Sequence, residues 1–207
     1  MWQIISGSLL LSLVHAAIPN HWLPIVTIGK AEKWTMHETM KATLLIGVAH
    51  ITSTLIIGVL IGIAGFQLSS KHAELTHWVA PAVLALLGLG FVLADVFNGN
   101  RHDHNHFSEV GGGKTKSAII WSMVLAMFLS PCIELEVYFL PAGAYGWAGI
   151  LATSAVYLVA TVGMMMTLVY LGAKGLSRLN WHVFEHHQKT LTGAILIILS
   201  AVSLFID

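Results

Sequence analysis

"HAAIPNH", residues 15 to 21, sets two histidines, a proline and an asparagine inside the first apolar stretch of the chain. Neutral imidazole ligates nickel, cobalt, zinc, copper or iron, and carboxylates can complete the shell. His50 in "GVAHITST" and Glu134 and Glu136 in "LSPCIELE" put further donors inside apolar runs. An ionisable group in hydrocarbon costs a few kcal/mol on insertion scales, so its retention there points to function. His15, His21, His50 and Glu134 are the candidate metal ligands, with Asn20, Asp95 and Cys132 as secondary candidates.

Helical rise allows their depths to be compared. His21 is nine residues from Lys30 and His50 nine from Lys41, which places both ~13 Å from the same flank. His15 and Glu134 fall deeper, about 22 and 27 Å from their flanking lysines. Glu136 is expected near the outer surface and Asp95 near the inner mouth. The arrangement reads as a ladder of ligands across the bilayer. On an unbroken helix His15 and His21 point about 120° apart. Pro19 breaks that geometry and frees the His15 carbonyl as a further contact.

Plainer roles compete with each of these. A single intramembrane histidine can simply hydrogen-bond a neighbouring helix. Cys132 reads more readily as a small packing residue than as a thiolate, and the methionines of "GMMM" as packing. Glu134 and Glu136 straddle Leu135 and cannot face the same way. The glycines of "GVLIGIAG" suit close helix contact.

Two further histidine groups lie outside the apolar runs. "HDHNH" alternates His102, His104 and His106 in a polar, glycine-rich segment suited to gathering divalent metal. "HVFEHH" carries His182, Glu185, His186 and His187, with His182 and His186 one turn apart. It fits the H-x-x-E-H zinc-peptidase pattern, and it resembles one histidine box of the membrane di-iron desaturases and hydroxylases.

These donors must be positioned by helices. The 207 residues are 56% hydrophobic and 10% charged, with a mean hydropathy of +0.78. A soluble fold of this size cannot hide so much apolar surface, so the solvent is a bilayer. Net charge is zero, and nothing suggests nucleic acid. The one cysteine excludes an internal disulfide and a multi-cysteine zinc module. The first basic residue is Lys30, so the N-terminal stretch reads as a retained span rather than a signal peptide.

Apolar runs fall at about 4–28, 42–66, 77–97, 117–140, 147–172 and 190–206, the natural count for six transmembrane helices. Nine of the ten lysines and arginines follow spans 1, 3 and 5, and only Lys71 lies opposite. Both termini are therefore expected outside. The chain is expected to be one all-α, multi-pass domain over 1–207, in a bacterial inner membrane, with a flexible cytoplasmic His-rich loop at 98–116. Spans 1 and 4 are each interrupted by proline beside polar groups, at Pro19 and Pro131. That hints at an inverted 3+3 repeat, the sequence pointer to a transporter site between two halves.

Span 1 is similar to the H-x4-D-H signature of the nickel/cobalt permease family of the NicO type. His15 and His21 match the two histidines, and Asn20 stands where the family has aspartate. "GVAHITST" resembles that family's second helix, with His50 in the matching place. The "HDHNH" loop resembles the histidine-rich loop of its efflux members. "LSPCIELE" is similar to the Pro-Cys start of the fourth helix there and in related thiol-electron carriers. The chain also resembles urease accessory membrane proteins of the same superfamily. The resemblance implies transport of a divalent transition metal, nickel or cobalt first and zinc next. The thiol-electron carriers use a cysteine pair, which this chain lacks. The competing classes are a membrane metalloenzyme, an oxidoreductase or hydrolase with His182, His186 and His187 joining His21 and His50 around iron or zinc, and an accessory subunit or homo-oligomer whose histidines only pack.

Overall fold

The computed structural model describes residues 1–69 and 115–175, with helical residues also described within 82–93 and 194–201. Among the described residues every regular element is helical. The chain begins with α1 (Trp2–Ala17) and α2 (Pro19–Ala31). Ile18 between them is extended, at φ −62° and ψ 130°. A residue before proline is pushed out of the helical region, and proline fits the first position of a new helix. The sequence Ile18–Pro19 thus divides one apolar stretch into two helices.

The next helix, α3 (Met36–Ser69), is the longest at 34 residues, or about 51 Å. It starts six residues before the expected apolar run because Thr35 and Glu38 form a reciprocal cap. Thr35 N–H donates to Glu38 Oε2 at 2.8 Å, and Glu38 N–H donates to Thr35 Oγ1 at 3.3 Å. Then come α4 (Lys116–Phe128), α5 (Ile133–Glu136), α6 (Phe139–Gly143) and α7 (Gly146–Lys174). The run expected at 117–140 is therefore one helix, a break at Leu129–Cys132, and two short helical pieces. Gly146 opens α7 at φ +64°, a left-handed value that glycine adopts without strain.

Three helical stretches are long and apolar enough to cross a membrane: Trp2–Ala31, Met36–Ser69 and Gly146–Lys174. α4 is a shorter apolar helix. The runs expected at 77–97 and 190–206 lie largely outside the described residues, as do Asp95, the 98–116 loop and "HVFEHH". The surface is that of a membrane protein. Leu60, Leu129 and Val159 are 62–71% exposed, and such large apolar side chains are rarely left so open to water on this scale. The interior instead encloses Ser8, Ser12, Thr43 and Thr54. Their hydroxyls return to backbone carbonyls of the preceding turn, as Ser12 Oγ does to Ser8 O at 2.6 Å.

α3 packs against α4, α6 and α7, and α7 packs against α1 and α2. The glycines expected to permit close contact do so. A Cβ at Gly65 would collide with the backbone carbonyl of Leu140, and one at Gly143 with the carbonyl of Gly62. Gly65→Val should lower stability by about 2 kcal/mol, as overpacking does. Thermal unfolding of the purified variant in detergent measures it; an unchanged midpoint would place α6 elsewhere.

The basic ends of the helices gather at one end. Lys30, closing α2, donates to the Gly172 carbonyl near the end of α7 at 3.2 Å. Lys116, opening α4, pairs with Glu38 at the start of α3 at 2.6 Å.

Candidate metal centre

Both helix breaks meet α3 at one point. His15 sits in the last turn of α1, His21 in the first turn of α2, His50 midway along α3, and Cys132 caps α5 after the second break. Each of these four residues offers one ligand atom, and the atoms all lie within 4.8 Å of one another. Cys132 Sγ is 2.7 Å from His15 Nε2 and 3.0 Å from His50 Nε2. The His21 ring centroid is 4.5 Å from that of His15 and 4.9 Å from that of His50.

Surrounding groups hold two of the donors in place. His50 Nδ1 is 3.2 Å from the Met127 carbonyl in the last turn of α4. A carbonyl can only accept, so Nδ1 carries the proton and the Nε2 lone pair is turned toward Cys132. The Cys132 backbone N–H donates to Thr54 Oγ1 at 3.1 Å, one turn beyond His50. α3 therefore fixes both its own ligand and the backbone of the cysteine. Nδ1 of His15 and of His21 is enclosed without a hydrogen-bond partner among the described residues. Buried imidazole nitrogens left this way lack the compensation that desolvation demands. For each ring, coordination through one nitrogen is what this constellation can supply.

Three imidazoles and a thiol form a donor set for zinc, nickel, cobalt or copper, and a poor one for magnesium or calcium. In a tetrahedral site with bonds of about 2.0 Å to nitrogen and 2.3 Å to sulfur, sulfur and nitrogen stand ~3.5 Å apart. An ion would spread the two closest pairs here and draw in the widest. The cluster can bind a transition metal.

The geometry differs from the expected ladder. His15, His21 and His50 converge on one position because the break at Ile18 folds residues 15 and 21 toward each other. Cys132, a secondary candidate read more readily as a packing side chain, is the fourth member. Its signal was Pro131, which breaks the chain beside it as Pro19 does beside His21. Glu134 is partly buried and is not among the four. Glu136, expected near the outer surface, is buried, with Oε1 unpartnered. It lies inside because α5 turns into α6 rather than running on to the surface. The His15 carbonyl, expected to be free, accepts from Ile18 N–H at 3.1 Å. The break closes its own backbone account by a tight turn, leaving the imidazole as the donor at this residue.

The supporting contacts of Thr54 and the Met127 carbonyl have no sequence signature. The Asn20 side chain, Asp95, His102, His104, His106, His182, Glu185, His186 and His187 lie outside the described residues. Compared with protein-family models, with curated proteins and with solved structures, the chain matches none.

Proposed function

We propose that this protein carries a divalent transition-metal ion across the membrane, with His15, His21, His50 and Cys132 as the site through which the ion passes. The observation that carries the reading is that two of the three segments supplying ligands are helices broken at proline. Interrupted helices meeting in the interior are how transporters place polar groups at the depth of the bilayer centre. Nickel and cobalt come first by the resemblance of "HAAIPNH" and "GVAHITST" to the nickel/cobalt permeases. The thiol brings zinc close behind. The distribution of basic residues favours six spans in a bacterial inner membrane, with the end bearing Lys30 and Lys116 in the cytoplasm. Moving the ion requires replacing its water shell with protein donors that bind well enough to admit it and loosely enough to release it.

The metalloenzyme is the second reading, and the donor count weighs against it. A catalytic zinc keeps three protein ligands and an open position; four donors here leave none. One experiment separates the readings. The protein is purified with His102, His104 and His106 replaced by asparagine, analysed for bound metal, and reconstituted into liposomes with a metal-sensitive dye inside. A carrier shows nickel, cobalt or zinc flux that His21→Ala reduces at least tenfold. One tightly held ion per chain with no flux in either direction would sink the transport reading in favour of a resident metal.

A further inference from the structure

At the basic end of the bundle a cavity of about 310 Å³ opens between the end of α2, the start of α3 and the end of α7. Lys30, Lys33 and Trp34 line it on one side, with apolar wall from Val26, Met36 and Ala173. It has room for a group several times the size of a water molecule. The charges, the backbone and the apolar side of this wall point to the same kind of occupant.

Trp34 is 8% exposed and sets its ring into the wall, with Nε1 closed off from solvent. Lys33 holds a left-handed backbone, φ 54°, which a non-glycine residue rarely adopts. That turn is tied by Trp34 N–H to the Gly29 carbonyl at 2.8 Å and by Lys33 N–H to the Lys30 carbonyl at 3.2 Å. It keeps two lysines and the indole on one cavity. Lys30 spends one of its three donors on Gly172 and keeps two. Both lysines are cationic donors, and Thr39, the other polar side chain on the wall beside Trp34, gives its hydroxyl proton to the Thr35 carbonyl.

Among the described residues no acidic side chain lines the cavity. Of the two acids nearby in the chain, Glu32 is outside the lining and Glu38 is engaged by Lys116, which stands 6.0 Å over the Trp34 ring. Among the described residues the lining therefore carries two positive charges and no negative one.

We propose that this cavity binds a phosphate-bearing anion, and that the occupant is the headgroup of an anionic phospholipid. A phosphodiester is acceptor-only and meets both ammonium groups together. The apolar wall of Val26, Met36 and Ala173 favours a lipid over a free ion, because it offers the glycerol and upper acyl carbons a surface that inorganic phosphate cannot use. Tryptophan and lysine at a helix end are also where a bilayer presents its headgroups. The inference does not depend on what ion the histidine cluster carries.

The test uses the full-length protein in neutral detergent, with the thermal midpoint followed as phosphatidylglycerol, phosphatidylcholine or inorganic phosphate is added. Phosphatidylglycerol is expected to raise the midpoint by a few degrees, phosphatidylcholine to leave it unmoved, and phosphate to do little. Two variants keep the fold and remove one feature each. Lys33→Gly suits the left-handed backbone and deletes a charge; Lys30→Gln deletes the other charge and keeps a donor for the Gly172 carbonyl. Each should at least halve the phosphatidylglycerol shift, while Lys41→Gln, outside the cavity, should leave it intact. An equal shift with phosphatidylcholine, or full shifts in both variants, would overturn the proposal. Stabilisation by inorganic phosphate as large as that by phosphatidylglycerol would overturn the lipid assignment and make the ligand a soluble anion.

Discussion

Replacing Cys132 with serine is expected to weaken metal binding by about a hundredfold or more, with the helices still in place. Structural zinc sites of four ligands bind with apparent free energies of roughly 10–16 kcal/mol, so one ligand accounts for about 3 kcal/mol. At about 1.4 kcal/mol per tenfold, that is two decades. The thiolate should count for more than an average share. It is the one donor of the four that brings negative charge to the ion, and it stands within 3.0 Å of two of the imidazoles. The backbone of residue 132 is held to Thr54 through its N–H, a contact serine keeps, so loss of metal need not mean loss of fold.

The same substitution changes how binding depends on pH. A cysteine ligates as thiolate, so metal binding by the native protein releases its proton. Affinity should therefore rise with pH in the native protein and rise less in Cys132→Ser. Cobalt(II) titration by visible absorption measures both, since thiolate coordination has its own charge-transfer band in the near ultraviolet. A Cys132→Ser protein that binds cobalt with native affinity and an unaltered spectrum would remove the cysteine from the centre. It would leave the three histidines to explain the site alone.

How much of this could be read in the sequence depends on how local the cause was. The apolar runs over 42–66 and 147–172 became α3 and α7 because a long apolar run in lipid has few choices but a helix. The breaks beside Pro19 and Pro131 were legible too, since proline acts on its own backbone and on the residue before it. His15, His21 and His50 were conspicuous as polar groups in apolar runs. Their meeting point was not legible. Depth counted along a helix gives one coordinate, and convergence needs the rotation and tilt of three segments. Cys132 shows the same limit. As one cysteine it has no spacing to read, and only its position against His50, fixed by Thr54 and the Met127 carbonyl, raises it from a secondary to a leading candidate ligand. Glu134 and Glu136 were ranked on an assumed continuous helix, and the turn at Val137–Tyr138 reversed which of them is enclosed.

The break at Ile18 gives the second large effect, one in which stability and binding should move in opposite directions. In Pro19→Ala a backbone N–H returns at residue 19, and the His15 carbonyl four residues back becomes its natural acceptor. Alanine is about 3 kcal/mol better than proline inside a helix, so a helix continuous from Trp2 to Ala31 becomes accessible. Continuity would separate His15 and His21 by about 9 Å of rise and about 120° of rotation. A single ion reaches nitrogens no more than ~4 Å apart across its centre. One histidine must then leave the site. The native break is also held by the Trp22 indole, which donates to the Ala17 carbonyl at 3.1 Å, so Pro19→Ala combined with Trp22→Phe is the stronger form. The expected result is an unchanged or higher thermal midpoint, metal affinity lower by roughly ten- to a hundredfold, as for lost support of a ligand, and flux lost in proportion. If the double variant binds and transports as the native protein does, the proline break is not what brings His15 and His21 onto one ion, and the packing of α1 and α2 against α7 would have to hold them there instead.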